Sequence, residues 1–65
     1  MNLTINGAAR AIMATDLAAL LAELQLDPAR VAIEHNGRIL RADQYSATGL
    51  AEGDRLEIVR FVGGG

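Results

Sequence analysis

The sequence predicts an α+β fold, a mixed four- to five-stranded sheet with one amphipathic helix packed on one face. Three observations carry this. Short stretches that alternate apolar and polar residues flank two Asn-Gly dipeptides, Asn6-Gly7 and Asn36-Gly37, the pattern of hairpins closed by type I′ turns. Leu17, Leu20, Leu21 and Leu24 fall at i, i+3, i+4 and i+7, a single apolar stripe of helical period. A last apolar run, "RLEIVRFV", is long and hydrophobic enough for a central strand beside the first one.

The elements follow in order. In "MNLTI", Met1, Leu3 and Ile5 share one face and Asn2 and Thr4 the other, a half-buried strand. After the first turn, "AARAIM" supplies an alanine-rich partner strand with Ile12 as its core residue. Thr15 or Asp16 then caps the helix, its side chain accepting from an orphan backbone donor. Ala18, Ala19 and Ala22 add helix propensity, and Asp27-Pro28 is expected to stop the element. "VAIEH" points Val31 and Ile33 inward, and "RIL" forms the short partner beyond Gly37. "RADQYSATGL" reads as a loop or a single helical turn pinned by Tyr45 and Leu50, and "AEGD" as a turn. In the last strand Leu56 and Ile58 point inward. Apolar Val59 and Phe61 suggest that both faces are partly covered near its end.

Composition narrows the function. Sixty-five residues make one domain. An apolar fraction of 51% allows a core, although a domain of this size buries only roughly 60% of its unfolded surface. Without cysteine there is no disulfide, no zinc–thiolate site and no thiol nucleophile. The six basic residues are all arginine, scattered among eight acids for a net charge of −2, with no basic run for nucleic acid. Tyr45 and Phe61 are too few aromatics for a base-stacking platform. The longest apolar stretch, around Leu17 to Leu21, is far too short to span a bilayer, and "MNLTING" lacks the regions of a signal peptide. A cytoplasmic protein without nucleic-acid or membrane partners is expected.

The residues that could carry chemistry do not assemble into a site. His35 reads as a solvated residue beside a turn, with no second ligand at metal spacing. Asp16 reads as a cap, Asp27 and Asp54 as turn acids, and Glu23, Glu34 and Glu57 as solvated faces. Ser46 has no base partner, and "GLAEGD" does not open a helix after a strand. No catalytic residue, no metal and no bound cofactor is expected, and the chain does not read as an enzyme.

The exception is "FVGGG". Glycine costs a strand entropy and cannot pack, so folding gives no reason for the run. A carboxylate becomes a useful electrophile only when activated, for example as an acyl-adenylate. A tail without side chains can thread the confined site where that happens. Residues 1–62 are therefore expected to form the domain and residues 63–65 a flexible glycine tail, with Val59, Phe61 and Val62 as a docking patch beside it.

Taken together, "MNLTINGAAR", "TDLAALLAELQLDPARVA", "EHNGRILRADQY" and above all "LAEGDRLEIVRFVGGG" resemble the ThiS-type sulfur carriers of thiamine biosynthesis, which are ubiquitin-like β-grasp proteins. The resemblance implies that Gly65 is adenylated by a ThiF-like enzyme using ATP. A cysteine-derived persulfide, supplied by a sulfurtransferase or cysteine desulfurase, then converts it to a thiocarboxylate. Sulfur passes from there to the thiazole ring on a ThiG-like thiazole synthase. It implies that Gly63 and Gly64 thread into the partner, and that the carrier is a cosubstrate with no active site of its own. Tyr45 stands where many of that family carry tryptophan, a change that packing should absorb. Two other readings stay open here: a MoaD-like carrier for molybdopterin or another sulfur metabolite, and a non-catalytic β-grasp interaction module with slack glycines.

Overall fold

The computed structural model describes residues 1–61. Val62, Gly63, Gly64 and Gly65, with the expected domain boundary after residue 62, lie outside the described residues. The order is β1 (Asn2–Ile5), β2 (Ala8–Ala11), α1 (Leu17–Glu23), β3 (Val31–His35), β4 (Arg38–Leu40) and β5 (Arg55–Arg60). Single turns of 3-10 helix occupy Pro28–Arg30 and Ala42–Gln44. The sheet order is β2-β1-β5-β3-β4, so the last strand is central. It runs parallel to β1 and antiparallel to β3, which makes the sheet mixed.

Both Asn-Gly turns form, with Asn6 and Gly7 at φ 52 and 81 and Asn36 and Gly37 at φ 49 and 86. These are the positive angles a type I′ turn requires. The helix buries Leu17, Leu20 and Leu21 completely. They meet Leu3, Ile5, Val31, Ile33, Leu56 and Ile58 from the sheet, and Ile12 and Tyr45 close the ends. Tyr45 is buried, as the reading of its loop required, and that burial pushes its phenol above the ordinary pKa.

Asp16 is the cap, its Oδ1 accepting from the Ala19 N–H at 2.8 Å. The helix ends earlier than the Asp27-Pro28 signal suggests. Leu24 is its C-cap and Gln25 takes the left-handed conformation at φ 59. The Gln25 N–H bonds to the Ala22 carbonyl and the Leu26 N–H to the Leu21 carbonyl. That pair of bonds is a Schellman motif with glutamine in place of the usual glycine. Leu26 packs against the core cluster that holds Leu21, the apolar contact that accompanies this ending. Pro28 instead opens the following 3-10 turn, capped by Asp27.

The expectation of cover on both faces near the end of β5 is overturned. Val59 and Phe61 are 58% and 57% exposed. Leu56 and Ile58 alternate inward under the helix, and no element among the described residues lies over Val59.

Candidate functional site

The candidate site is the end of β5, from which the glycine run continues. Strand pairing and two asparagine side chains fix this strand. Its register pairs Leu56 with His35, Ile58 with Ile33 and Arg60 with Val31 on the β3 side, but only Arg55 with Thr4 and Leu56 with Ile5 on the β1 side. Asn6, where β1 turns away, compensates with its side chain. Its Oδ1 accepts from the Ile58 N–H at 2.7 Å and its Nδ2 donates to the Ile58 carbonyl at 3.0 Å. One amide side chain thus replaces a missing strand residue. At the other end of β5, the Asn36 Oδ1 accepts from the Arg55 N–H at 2.8 Å.

Of the expected docking residues, Val59 and Phe61 are both exposed near the strand's exit. Register places Ala32 beside Val59 on the uncovered face and sets Ile39 opposite Glu34 on the same face. Ile39 is 78% exposed and was not singled out by the sequence. The signal was its odd position in "RIL", which only the pairing of β4 with β3 turns into a face assignment. Glu34 and Glu57 stand directly across from each other on that face, a like-charge pair that costs stability. Val62 and the glycines Gly63, Gly64 and Gly65 lie outside the described residues.

His35, read as a solvated residue, is partly buried, and the turn acid Asp54 is its partner. The His35 Nε2 lies 2.9 Å from the Asp54 Oδ2, and the two side chains are only 18% and 13% exposed. Asp54 also accepts from the Asn36 side-chain amide at 3.1 Å and from the Ala51 N–H at 2.9 Å. Burial alone would raise the Asp54 pKa. The hydrogen bonds from His35, Asn36 and Ala51, with the His35 charge, outweigh it and hold the carboxyl below its ordinary range. This cluster locks the turn at 51–54 onto the second hairpin. Glu23 reaches back from the helix, and its carboxylate accepts from the Met13 and Ala14 N–H groups. Neither contact was visible in local sequence, because the partners are 19 and about 10 residues away. Among the described residues no group of His, Asp or Glu could hold a metal ion, and no helix is long and apolar enough to cross a membrane.

The arrangement presents a firmly held central strand whose end is exposed, with the apolar side chains of Val59 and Phe61 at the exit.

Comparison with known proteins agrees. The family model described as "ThiS family" matches residues 3–65. A thiazole synthase of Paramagnetospirillum magneticum is 44% identical over 66 aligned residues, which take in the whole of this chain and 20% of that protein. A second thiazole synthase, from Magnetococcus marinus, is 41% identical over 78% of this chain and 16% of its own length. The chain thus spans about a fifth or less of these two relatives. The sulfur carrier protein ThiS of Bacillus subtilis is 44% identical over 71% of this chain and 70% of its own length. The crystal structure of the thiamine biosynthesis protein ThiS from Geobacter metallireducens superposes with a TM-score of 0.83 at 33% identity, covering both chains in full. The chain belongs to the ThiS family of sulfur carriers, and its five-stranded mixed sheet with one helix is that family's β-grasp fold.

Proposed function

We propose that this chain carries sulfur on Gly65 for thiazole formation in thiamine biosynthesis. The family match that extends through Gly65 is the observation that carries this reading. The carboxylate of Gly65 attacks the α-phosphorus of ATP on a ThiF-like adenylating enzyme, and pyrophosphate leaves. The terminal sulfur of a persulfide, loaded by a sulfurtransferase or cysteine desulfurase, attacks the acyl carbon and AMP leaves. A thiol then reduces the new S–S link and frees the thiocarboxylate.

Gly63 and Gly64 thread the tail, since they add no side chain and accept any extended path. Val59, Phe61 and Val62 form the docking patch that meets the partner. The carrier contributes no catalytic group and binds no cofactor; ATP belongs to the adenylating enzyme. A ThiG-like thiazole synthase is the acceptor, a reading supported by the thiazole synthases among the relatives. The exchange takes place in the cytoplasm, where ATP is supplied.

The test is intact mass after incubation with the adenylating enzyme, ATP and a sulfur source. One oxygen exchanged for sulfur, mapped to Gly65 by fragmentation, is expected. Deleting Gly65, or adding one residue after it, should abolish the exchange and leave folding untouched. Charging of the extended protein would show that another group reacts.

A further inference from the structure

β5 carries a half-edge in the middle of the sheet. The Phe61 N–H bonds to the Arg30 carbonyl at 2.8 Å and the Asn36 N–H to the Arg55 carbonyl at 2.8 Å. Residues 55, 57, 59 and 61 therefore turn their backbone groups toward β3, because antiparallel pairs alternate. Residues 56, 58 and 60 turn theirs the other way. On that side the Asn6 N–H bonds to the Leu56 carbonyl, and the Asn6 side chain takes both groups of Ile58. Arg60 comes next, and β1 has already left the sheet. By that alternation the N–H and C=O of Arg60 point away from β3, toward the gap beyond the first turn, where the β1 pairing has ended at Leu56.

The gap is shaped. A cavity of about 320 Å³ lies there, with Ile5, Leu24, Leu26 and Ile58 as an apolar floor and Arg10 and Arg60 at its walls. Its one acid, Glu23, is occupied by the Met13 and Ala14 N–H groups. Asp27 nearby holds the Ala29 N–H and stands 3.6 Å from Arg30. Neither Arg10 nor Arg60 forms an ion pair among the described residues. The site thus offers one backbone donor, one backbone acceptor, an apolar floor and two arginines against one carboxylate, Glu23, whose oxygens are engaged by backbone N–H groups.

The geometry points to strand addition at this notch: an extended segment of the adenylating enzyme, carrying a carboxylate and an apolar side chain, continues the line of β1 along the end of β5. Its backbone pairs with Arg60, its apolar side chain fills the floor, and its carboxylate lies between Arg10 and Arg60. Pairing there would hold the strand that leads directly into the glycine run, so docking and tail alignment become one event. This rests on the proposed function, since it takes that enzyme as the occupant.

The experiment is a binding titration of the full chain with the purified adenylating enzyme, alongside amide hydrogen exchange. Arg60→Pro removes the free N–H, which makes no bond to β3, together with the guanidinium, and Arg60→Ala, which removes the guanidinium alone, is its reference. Arg10→Glu with Arg60→Glu reverses the charge, and Arg38→Glu with Arg41→Glu, the same net change away from the notch, is the matched control. Each exposed substitution should leave the unfolding midpoint near that of the parent. Arg60→Pro and the double reversal should each weaken binding about tenfold or more, whereas the control stays within about twofold. The salt dependence of binding should flatten in the double reversal, and the Arg60 amide should gain protection in the complex. Binding of the parent chain with all variants unchanged overturns this proposal and leaves the sulfur-carrier reading intact. Failure of the parent chain to bind at all overturns both. Sedimentation of the chain alone decides the remaining occupant: a dimer abolished by Arg60→Pro would assign the notch to a second copy and overturn the proposal.

Discussion

The two Asn-Gly turns share a dipeptide and a backbone, yet their side chains do different work. Asn6 and Asn36 differ by only 3° in φ, and Gly7 and Gly37 by 5°. Asn6 closes both bonds on one residue of β5, in a partly buried place with no strand beside it. Asn36, itself exposed, splits its bonds between the Arg55 N–H and the Asp54 carboxylate, at the edge of a network that includes the partly buried His35. The comparison teaches that the turn chemistry is local, whereas the use of the amide depends on which strand the register brings alongside. It also separates two duties. The first turn finishes the sheet beside the strand that leads to the tail, and the second ties down that strand's start.

The largest effect should come from Asn6→Ala. It removes two hydrogen bonds and strands the Ile58 N–H and C=O in a partly buried position. A loss of about 2–3 kcal/mol is expected in urea unfolding. Asn36→Ala removes bonds whose partners can turn to water, so about 1 kcal/mol should be lost. Equal losses at the two positions would break the contrast and assign the stabilisation to the turn backbone alone.

The glycines sharpen the same comparison by isolating the backbone. A Cβ at Gly7 or Gly37 meets nothing within 4 Å, so only the positive φ opposes it. Gly7→Ala and Gly37→Ala should each cost about 1 kcal/mol, and equally, because the strain is local. A large difference between them, read by thermal unfolding, would show that one turn is held more firmly by its surroundings than the geometry implies.

Much of the fold was legible because its signals are short-ranged. A cap at Thr15 or Asp16, the Leu17–Leu20–Leu21 stripe, both turns and the central last strand all follow from spacing and residue type, and the structure selects Asp16. What escaped depends on partners far along the chain. Asn6 meets Ile58 across 52 residues, and His35 meets Asp54 across 19. Gln25 ends the helix without glycine, because Leu26 gains a core contact that offsets the left-handed conformation of a larger residue. At the candidate site the apolar character of Val59 and Phe61 was readable, but their exposure was not. An apolar residue on a strand shows neither which face it occupies nor whether anything covers that face. Ile39 and the notch at Arg60 needed the pairing of β4 with β3 and the departure of β1 at Asn6.

The smallest effect is the pH response of the second turn, and it tests whether the two networks are independent. Asp54 has its pKa held below the ordinary 3.8 by hydrogen bonds and by the His35 charge that outweigh its burial. Its folded form therefore binds protons less readily than its unfolded form. The resulting stability is fully present above the unfolded value and is lost as pH falls through the folded one. Unfolding measured at a series of pH values should show an acid limb, below about pH 4, that Asp54→Asn removes. Asn36→Ala should shorten that limb by deleting one of the bonds to the carboxylate, with the folded pKa moving back toward 3.8. Asn6→Ala, larger in overall effect, should leave the limb unchanged, since the Asn6 side chain bonds only to Ile58. If Asn6→Ala shortens it as well, β5 transmits strain from one turn to the other, and the two ends of the tail-bearing strand act as a single unit.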